Sequence, residues 1–216
     1  MVGMQSNITV LLVDDHEVVR GGYRRLLEST DDIEVIAEAG NGEEAYSLYL
    51  EHQPGVVVMD LSMPGIGGLD ASRRILARDR EARILVFSVH ENEVFLNRAL
   101  DQGVLGYISK RSASRVMVEA VRQVAAGEPF IGQEMMPFLI KRKASADSQL
   151  VNGLSPREFE VFRLRAEGLS VNDIAQLLNV SPKTIGHHNT SLKQKLGAVN
   201  DAELTRLAIR LGVITP

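Results

Sequence analysis

Between residues 8 and 125, five short apolar, β-branched runs alternate with longer amphipathic stretches. The predicted strands are Ile8–Val13, Ile33–Ala39, Val56–Met59, Ile84–Ser88 and Leu105–Ile108, with predicted helices near 17–28, 42–51, 68–78, 91–101 and 113–125. Repeated β-then-α units require crossover connections, which give a parallel sheet covered by helices on both faces. The unbroken apolar run Val56–Met59 suits a strand buried on both sides. An open sheet of this kind places its chemistry at the carboxyl ends of its strands. Polar groups stand there: Asp14 and Asp15 after the first run, Asp60 after the third, Ser88 ending the fourth, and Ser109-Lys110 after the fifth.

Carboxylates gathered at one point repel, and the arrangement becomes favourable when a cation sits among them. A few hard oxygen donors, to be completed by water and phosphate oxygens, suit Mg²⁺. The ion would screen an incoming phosphodonor and leave Asp60 as the nucleophile of an acyl phosphate. Lys110 would pair with one phosphoryl oxygen, and Ser88 would donate a hydrogen bond to another. Taken singly, these residues have plainer readings: the Asp pair as helix caps, Asp60 as a turn residue, Tyr107 as a strand aromatic, Lys110 as a solvent-facing amine. Convergence at successive strand ends favours the common site.

From residue 153 helix-start signals recur: Ser155-Pro156-Arg157-Glu158, Ser170-Val171-Asn172-Asp173, Ser181-Pro182-Lys183-Thr184 and Asn200-Asp201-Ala202-Glu203. Four short helices are implied, with Gly168 and Gly197 past two of them. On a predicted helix over 182–196, Ile185, Leu192 and Leu196 share one arc, while Lys183, His187, Thr190 and Gln194 share the opposite one, with Gly186 alongside. A helix with one apolar face and one small, polar face, following helix 171–178 and a tight turn, is what recognition in a DNA major groove requires. His188, at the apolar edge, reads equally as a core histidine or a phosphate contact. Gly186 reads as a site of close approach to DNA or as drift. Helix 201–211 carries Leu204, Leu207, Ala208 and Leu211 on one stripe, ordinarily a core face.

Charge follows the same division. Residues 1–140 hold 13 Lys/Arg against 21 Asp/Glu, and residues 141–216 hold 11 against 7. An acidic module therefore precedes a basic one, as for a nucleic-acid contact confined to the second. The expected boundaries are a first domain over 7–126, a linker over 127–149 that includes the small, polar stretch Ala144–Gln149, and a helical domain over 150–215. The chain has no cysteine, no export signal at Met1–Ser6 and no apolar run of membrane-spanning length, so a cytoplasmic protein without a membrane contact is expected.

In order, spacing and strand context, Val13-Asp14-Asp15, Val58-Met59-Asp60-Leu61-Ser62-Met63-Pro64-Gly65, Phe87-Ser88 and Gly106-Tyr107-Ile108-Ser109-Lys110 resemble the receiver domains of two-component systems. Leu154-Ser155-Pro156-Arg157-Glu158, Ile174-Ala175, Ser181–Ile185, His188 and Lys195-Leu196-Gly197 resemble the LuxR-type helix-turn-helix domain. Together they are similar to response regulators of the NarL/FixJ family. The resemblance implies a flavodoxin-like (βα)5 receiver with a five-stranded parallel sheet, followed by an all-α, four-helix DNA-binding domain.

It also implies site residues. Asp60 is the phosphoacceptor; Asp14, Asp15, Asp60 and the main-chain carbonyl of Ser62 bind Mg²⁺; Ser88 and Tyr107 form the switch pair beside Lys110. Lys183, Thr184, His188 and Lys193 contact DNA with Gly186, His187 and Thr190, of which the last three face bases. Partners are a sensor histidine kinase, double-stranded DNA and a second copy of the chain on DNA, with RNA polymerase as a further candidate. Such a protein is not an enzyme beyond its own phosphorylation and dephosphorylation. Lys110 is followed by Arg111, where receivers commonly have proline, and Ser88 by Val89, where a smaller residue is common. A haloacid-dehalogenase-type phosphatase would need a second aspartate two residues after Asp60, where Ser62 stands.

Overall fold

The computed structural model describes residues 7–141, 150–151 and 153–214. Its strands are β1 (Ile8–Val13), β2 (Ile33–Ala39), β3 (Val56–Met59), β4 (Ile84–Ser88), β5 (Gly106–Ser109) and β6 (Phe130–Ile131). They form one parallel sheet in the order β2-β1-β3-β4-β5-β6. The expectation of five strands is thus corrected to six. Phe130–Ile131 lies in the stretch expected to be linker, and a two-residue strand is too short to display the alternation by which strands are read. It joins the edge of the sheet, where Phe130 takes the carbonyl of Leu105 and Gly132 that of Tyr107. β5 runs one residue later than expected because Ser109, though polar, continues the ladder opposite Ser88.

Among the described residues, six α-helices accompany the sheet: α1 (Glu17–Glu28), α2 (Gly42–His52), α3 (Gly68–Arg78), α4 (Glu93–Asp101), α5 (Ala113–Ala125) and α6 (Met136–Lys141). The side chain of Asn92 accepts from the Phe95 amide, which fixes the start of α4 two residues later than expected. One face of the sheet packs on α1 and α5 around Leu12, Val58, Phe87 and Met117. The other packs on α2, α3 and α4 around Leu11, Met59, Ile75 and Leu96. Gly68 lets α3 begin against the end of β3, since a Cβ there would lie 1.8 Å from the carbonyl oxygen of Asp60.

The C-terminal unit consists of α7 (Pro156–Ala166), α8 (Val171–Leu177), α9 (Pro182–Leu196) and α10 (Asp201–Arg210). Ser155 with Glu158 and Ser170 with Asp173 form reciprocal capping boxes, while Ser181 and Asn200 cap α9 and α10. Gly197 ends α9 at φ 67°, a left-handed position that glycine occupies without strain. Phe159, Phe162, Ile174, Ile185, Leu192 and Leu204 fill the centre between these helices. The last eight residues of the expected linker, 142–149, lie outside the described residues, as do residues 1–6, 152 and 215–216.

The two units share a core. Phe95 of α4 meets Phe159 of α7 edge to face at 5.1 Å between centroids, and the Arg98 guanidinium lies 4.3 Å above the Phe159 ring. Arg98 also donates to the carbonyls of Val151 and, at 2.9 Å, Leu154. A second arginine works from the opposite side: Arg157 donates to the carbonyl of Gly65 at 2.6 Å and to that of Leu178 at 2.7 Å, while Gly65 N donates to the carbonyl of Leu177. These arginines supply donors to buried backbone carbonyls, of which that of Val151 also accepts from the Leu154 amide.

Candidate functional site

Parallel pairing of β1, β3, β4 and β5 aligns their carboxyl ends, so Asp14, Asp60, Ser88 and Lys110 arrive together from widely separated positions. Asp14 and Asp60 are buried, whereas Asp15 is exposed at the rim. The Lys110 ammonium bridges the buried pair, 2.6 Å from Asp14 Oδ2 and 2.7 Å from Asp60 Oδ2. It also lies 4.8 Å from the centroid of the Phe87 ring. Burial pushes the Asp60 carboxyl up to about 6, against the opposing pull of Lys110. Burial opposes the charge on Lys110 as well, but the two carboxylates outweigh it and hold the ammonium above its ordinary value.

Ser62 meets this group through its backbone: its N–H donates to Asp60 Oδ1 at 3.2 Å. Its hydroxyl shares a hydrogen bond of 2.8 Å with His90 Nε2. Ser88 Oγ accepts from the amide of His90, and the buried Tyr107 hydroxyl donates to the His90 carbonyl at 2.7 Å. Tyr107 therefore already points inward. The His90 ring stacks on Phe95 with centroids 3.8 Å apart. Burial, with Arg163 and Lys110 nearby, lowers its pKa to about 4, so the ring is neutral near pH 7.

Asp14, Asp15, His16 and Asp60 each present a ligand atom within 4.8 Å of the others. Three carboxylates that converge at the carboxyl edge of the sheet, two buried and one at the rim, are a fitting donor set for a hard divalent cation. His16 is an addition to the expected set, and its place directly after the aspartate pair was the available signal. Arg20, also missed, donates to the Asp14 carbonyl at 2.6 Å and pairs with Glu38. Nothing in its local sequence marks that role.

On α9, Ile185 and Leu192 are fully buried, whereas Lys183, His187, Thr190 and Gln194 are exposed, with Gly186, His188 and Lys193 partly so. Lys193 pairs with Asp201 at 2.8 Å. Thr184 Oγ1 shares a hydrogen bond with the Ser181 cap, and Thr190 Oγ1 donates to the Gly186 carbonyl. A Cβ on Gly186 would meet nothing within 4 Å, so packing does not require glycine there. The receiver contacts α7 and the end of α8 and leaves this polar face of α9 open. Among the described residues no helix is long and apolar enough to cross a membrane.

Residues 10–122 match the family described as "Response regulator receiver domain", and residues 152–208 match "Bacterial regulatory proteins, luxR family". The chain is 38% identical over 208 residues to the "Response regulator UvrY" of Escherichia coli (strain K12), with 95% of each chain covered. It is 39% identical over 208 residues to the "Transcriptional activator protein ExaE" of Pseudomonas putida, covering 95% of this chain and 97% of that one. Among solved structures, RcsB from Salmonella enterica serovar Typhimurium bound to promoter rprA in the presence of phosphomimetic BeF3⁻ aligns with a TM-score of 0.68 and 28% identity. That alignment covers 97% of this chain and 100% of that one.

Proposed function

Because the chain belongs to the two-component response regulators that carry a LuxR-type DNA-binding domain, we propose that Asp60 is its phosphoacceptor and the open face of α9 its DNA reader. The protein is a phosphorylation-dependent, DNA-binding transcription regulator rather than a classical enzyme. Response regulators receive their phosphoryl group from histidine kinases, and the reading adds a homodimer on paired DNA half-sites and RNA polymerase as a downstream partner. It divides the chain into a receiver over 7–126, a stretch over 127–149 whose β6 and α6 extend the receiver, and a DNA-binding domain over 150–215.

The observation that carries this reading is the Lys110 ammonium held between Asp14 and Asp60 at the carboxyl edge of the sheet. An amine in that place is ready to pair with a phosphoryl oxygen on Asp60. Mg²⁺, held by Asp14, Asp15, Asp60 and the Ser62 carbonyl, would supply the charge that lets an anionic donor approach. Asp60 attacks phosphorus, its new oxygen–phosphorus bond forming as the donor's bond breaks, and Ser88 donates to a phosphoryl oxygen. Ser88 now accepts from the His90 amide, whose carbonyl takes the Tyr107 hydroxyl, so a shift of Ser88 toward the phosphoryl group would carry His90 and Tyr107 with it.

On α9, Lys183, Thr184, His188 and Lys193 stand at backbone-contact positions, while Gly186, His187 and Thr190 face the bases. Phosphodonor labelling combined with gel shift tests both halves. Asp60→Asn is expected to abolish labelling and the phosphodonor-dependent rise in DNA binding. Lys183→Ala is expected to weaken binding to all sequences, and His187→Ala to change sequence preference. Undiminished labelling in Asp60→Asn overturns the first assignment; binding indifferent to both α9 substitutions overturns the second.

A further inference from the structure

The receiver is acidic as a whole, yet five of its basic residues fall within one short stretch: Arg73, Arg74, Arg78, Arg80 and Arg83, with only Asp79 and Glu81 between them. All five are exposed, along the outer side of α3 and the turn that follows it. Arg73 and Arg74 share a single carboxylate, Asp70, at 2.7 and 3.0 Å. Among the described residues, Arg78, Arg80 and Arg83 have no carboxylate within ion-pairing distance. Asp79 is engaged elsewhere, by the Tyr49 hydroxyl at 2.6 Å. The strip thus carries unbalanced positive charge on a body whose remaining surface is acidic.

Its position gives this charge a direction. Arg73 and Arg74 line a groove of about 710 Å³ whose opposite wall includes Asn179 and Val180, the turn between α8 and α9. The next residues along the chain are Ser181, Pro182 and Lys183, the exposed start of the α9 reading helix. Arg73 and Arg80 line the adjoining groove further along α3. Clasping by Arg98 and Arg157 holds α3 in this place beside the turn. A row of guanidinium groups, two sharing Asp70 beside the first turn of a major-groove helix and the others without an ion pair among the described residues, complements the phosphate backbone, which runs past that turn and beyond the bases being read.

We infer that the α3 strip, with Arg78 and Arg80 at its free end, binds the phosphates of the DNA that flanks the half-site read by α9. The receiver then acts in DNA binding as a direct, sequence-independent contact as well as a switch. The inference rests on the DNA-reading role of α9.

The test uses the full chain and a duplex that it selects from a random pool, made in two lengths: one spanning the selected site, and one extending a helical turn past each end. Affinity is measured as a function of salt. Arg78→Gln with Arg80→Gln is expected to make the salt dependence on the longer duplex shallower by about 2 in log–log slope, roughly 0.9 for each lost phosphate contact, and to weaken binding about tenfold without changing the selected sequence. Arg78→Lys with Arg80→Lys is expected to restore the slope. Arg24→Gln with Arg25→Gln, which removes the same charge from α1 on the other face of the sheet, is expected to leave it unchanged. An unchanged slope in the α3 pair, or an equal fall in both pairs, overturns the inference. A chain that selects no duplex overturns the DNA-reading assignment along with it, whereas selection unaffected by the α3 pair overturns the strip alone.

Discussion

Glu158 shows how one side chain in the reading domain carries both structure and acid sensitivity. It caps its own helix at Ser155, accepts from the Ser191 hydroxyl at 2.5 Å and pairs with Lys195 at 2.7 Å, tying α7 to the reading helix α9. Burial alone would raise its pKa, but Lys195 and Ser191 outweigh that and bring it down to about 2. A carboxyl whose folded pKa lies below its unfolded one contributes stability above the unfolded value and loses it as pH falls from about 4.5 to about 2. Glu158→Gln should therefore cost on the order of 3 kcal/mol at neutral pH and flatten acid unfolding over that window, as read by denaturant titration at several pH values. Gly186 gives a second prediction. Nothing crowds its Cβ position, so Gly186→Ala should stabilise α9 by about 1 kcal/mol in thermal unfolding. If the glycine serves close approach to DNA, the same substitution weakens binding in gel shift; tighter or equal binding leaves drift as its origin. Residue-scale legibility was uneven. Asp14, Asp60 and Lys110 could be read because each ends its own apolar run, a local signal. His90 and Arg98 could not, because their roles come from Ser62, Phe95, Val151 and Leu154, contacts that only the folded chain brings together.

At the scale of elements, α4 and α7 form the joint. Nothing in the sequence marks Arg98 for burial, yet it is 5% exposed because another domain covers it. Arg98→Ala would leave the Leu154 carbonyl unpaired, the Val151 carbonyl with only the Leu154 amide, and the face of Phe159 uncovered, at about 1 to 3 kcal/mol for a buried group left unpaired. The two domains should then separate, seen as a larger radius in small-angle X-ray scattering, with the receiver fold unchanged by circular dichroism. Glu160 tunes the same joint. Its side chain lies against Gly67, with Arg157 and Arg163 on its own helix and Asp70 facing it from α3. Burial pushes its pKa up to about 7 despite the two arginines. A carboxyl with a raised pKa favours the docked form at low pH, an advantage lost as pH rises through about 7. Docking should loosen as pH rises from about 4.5 to about 7 and level off above that in the same scattering measurement, and Glu160→Gln should abolish that dependence. The element pattern itself was largely open to sequence, since long periodic helices and apolar strands declare themselves. β6 did not, because two residues show no period, and pairing with β5 supplies what propensity cannot.

Across the whole molecule, the clasp seats the receiver on the side of α7 and the end of α8, not on the reading face of α9. Phosphorylation then has no reading helix to uncover, and its effect is expected through pairing of chains. The unphosphorylated protein should shift a duplex carrying one half-site, and a phosphodonor should strengthen binding to paired half-sites by at least tenfold more than to a single one. Equal strengthening of both, in parallel gel shifts, would mean that the receiver masks α9 after all.

The carbonyls grasped by Arg98 stand at Val151 and Leu154, where the chain enters the DNA-binding domain. Nine residues, 142–150, separate Val151 from the end of α6. So short a tether keeps the halves of the joint at an effective concentration on the order of millimolar. Contacts too feeble to hold two free proteins together suffice here, and a tenfold shift between clasped and parted forms asks only about 1.4 kcal/mol of the phosphoryl group. The joint can thus be populated at rest and still yield to one covalent event.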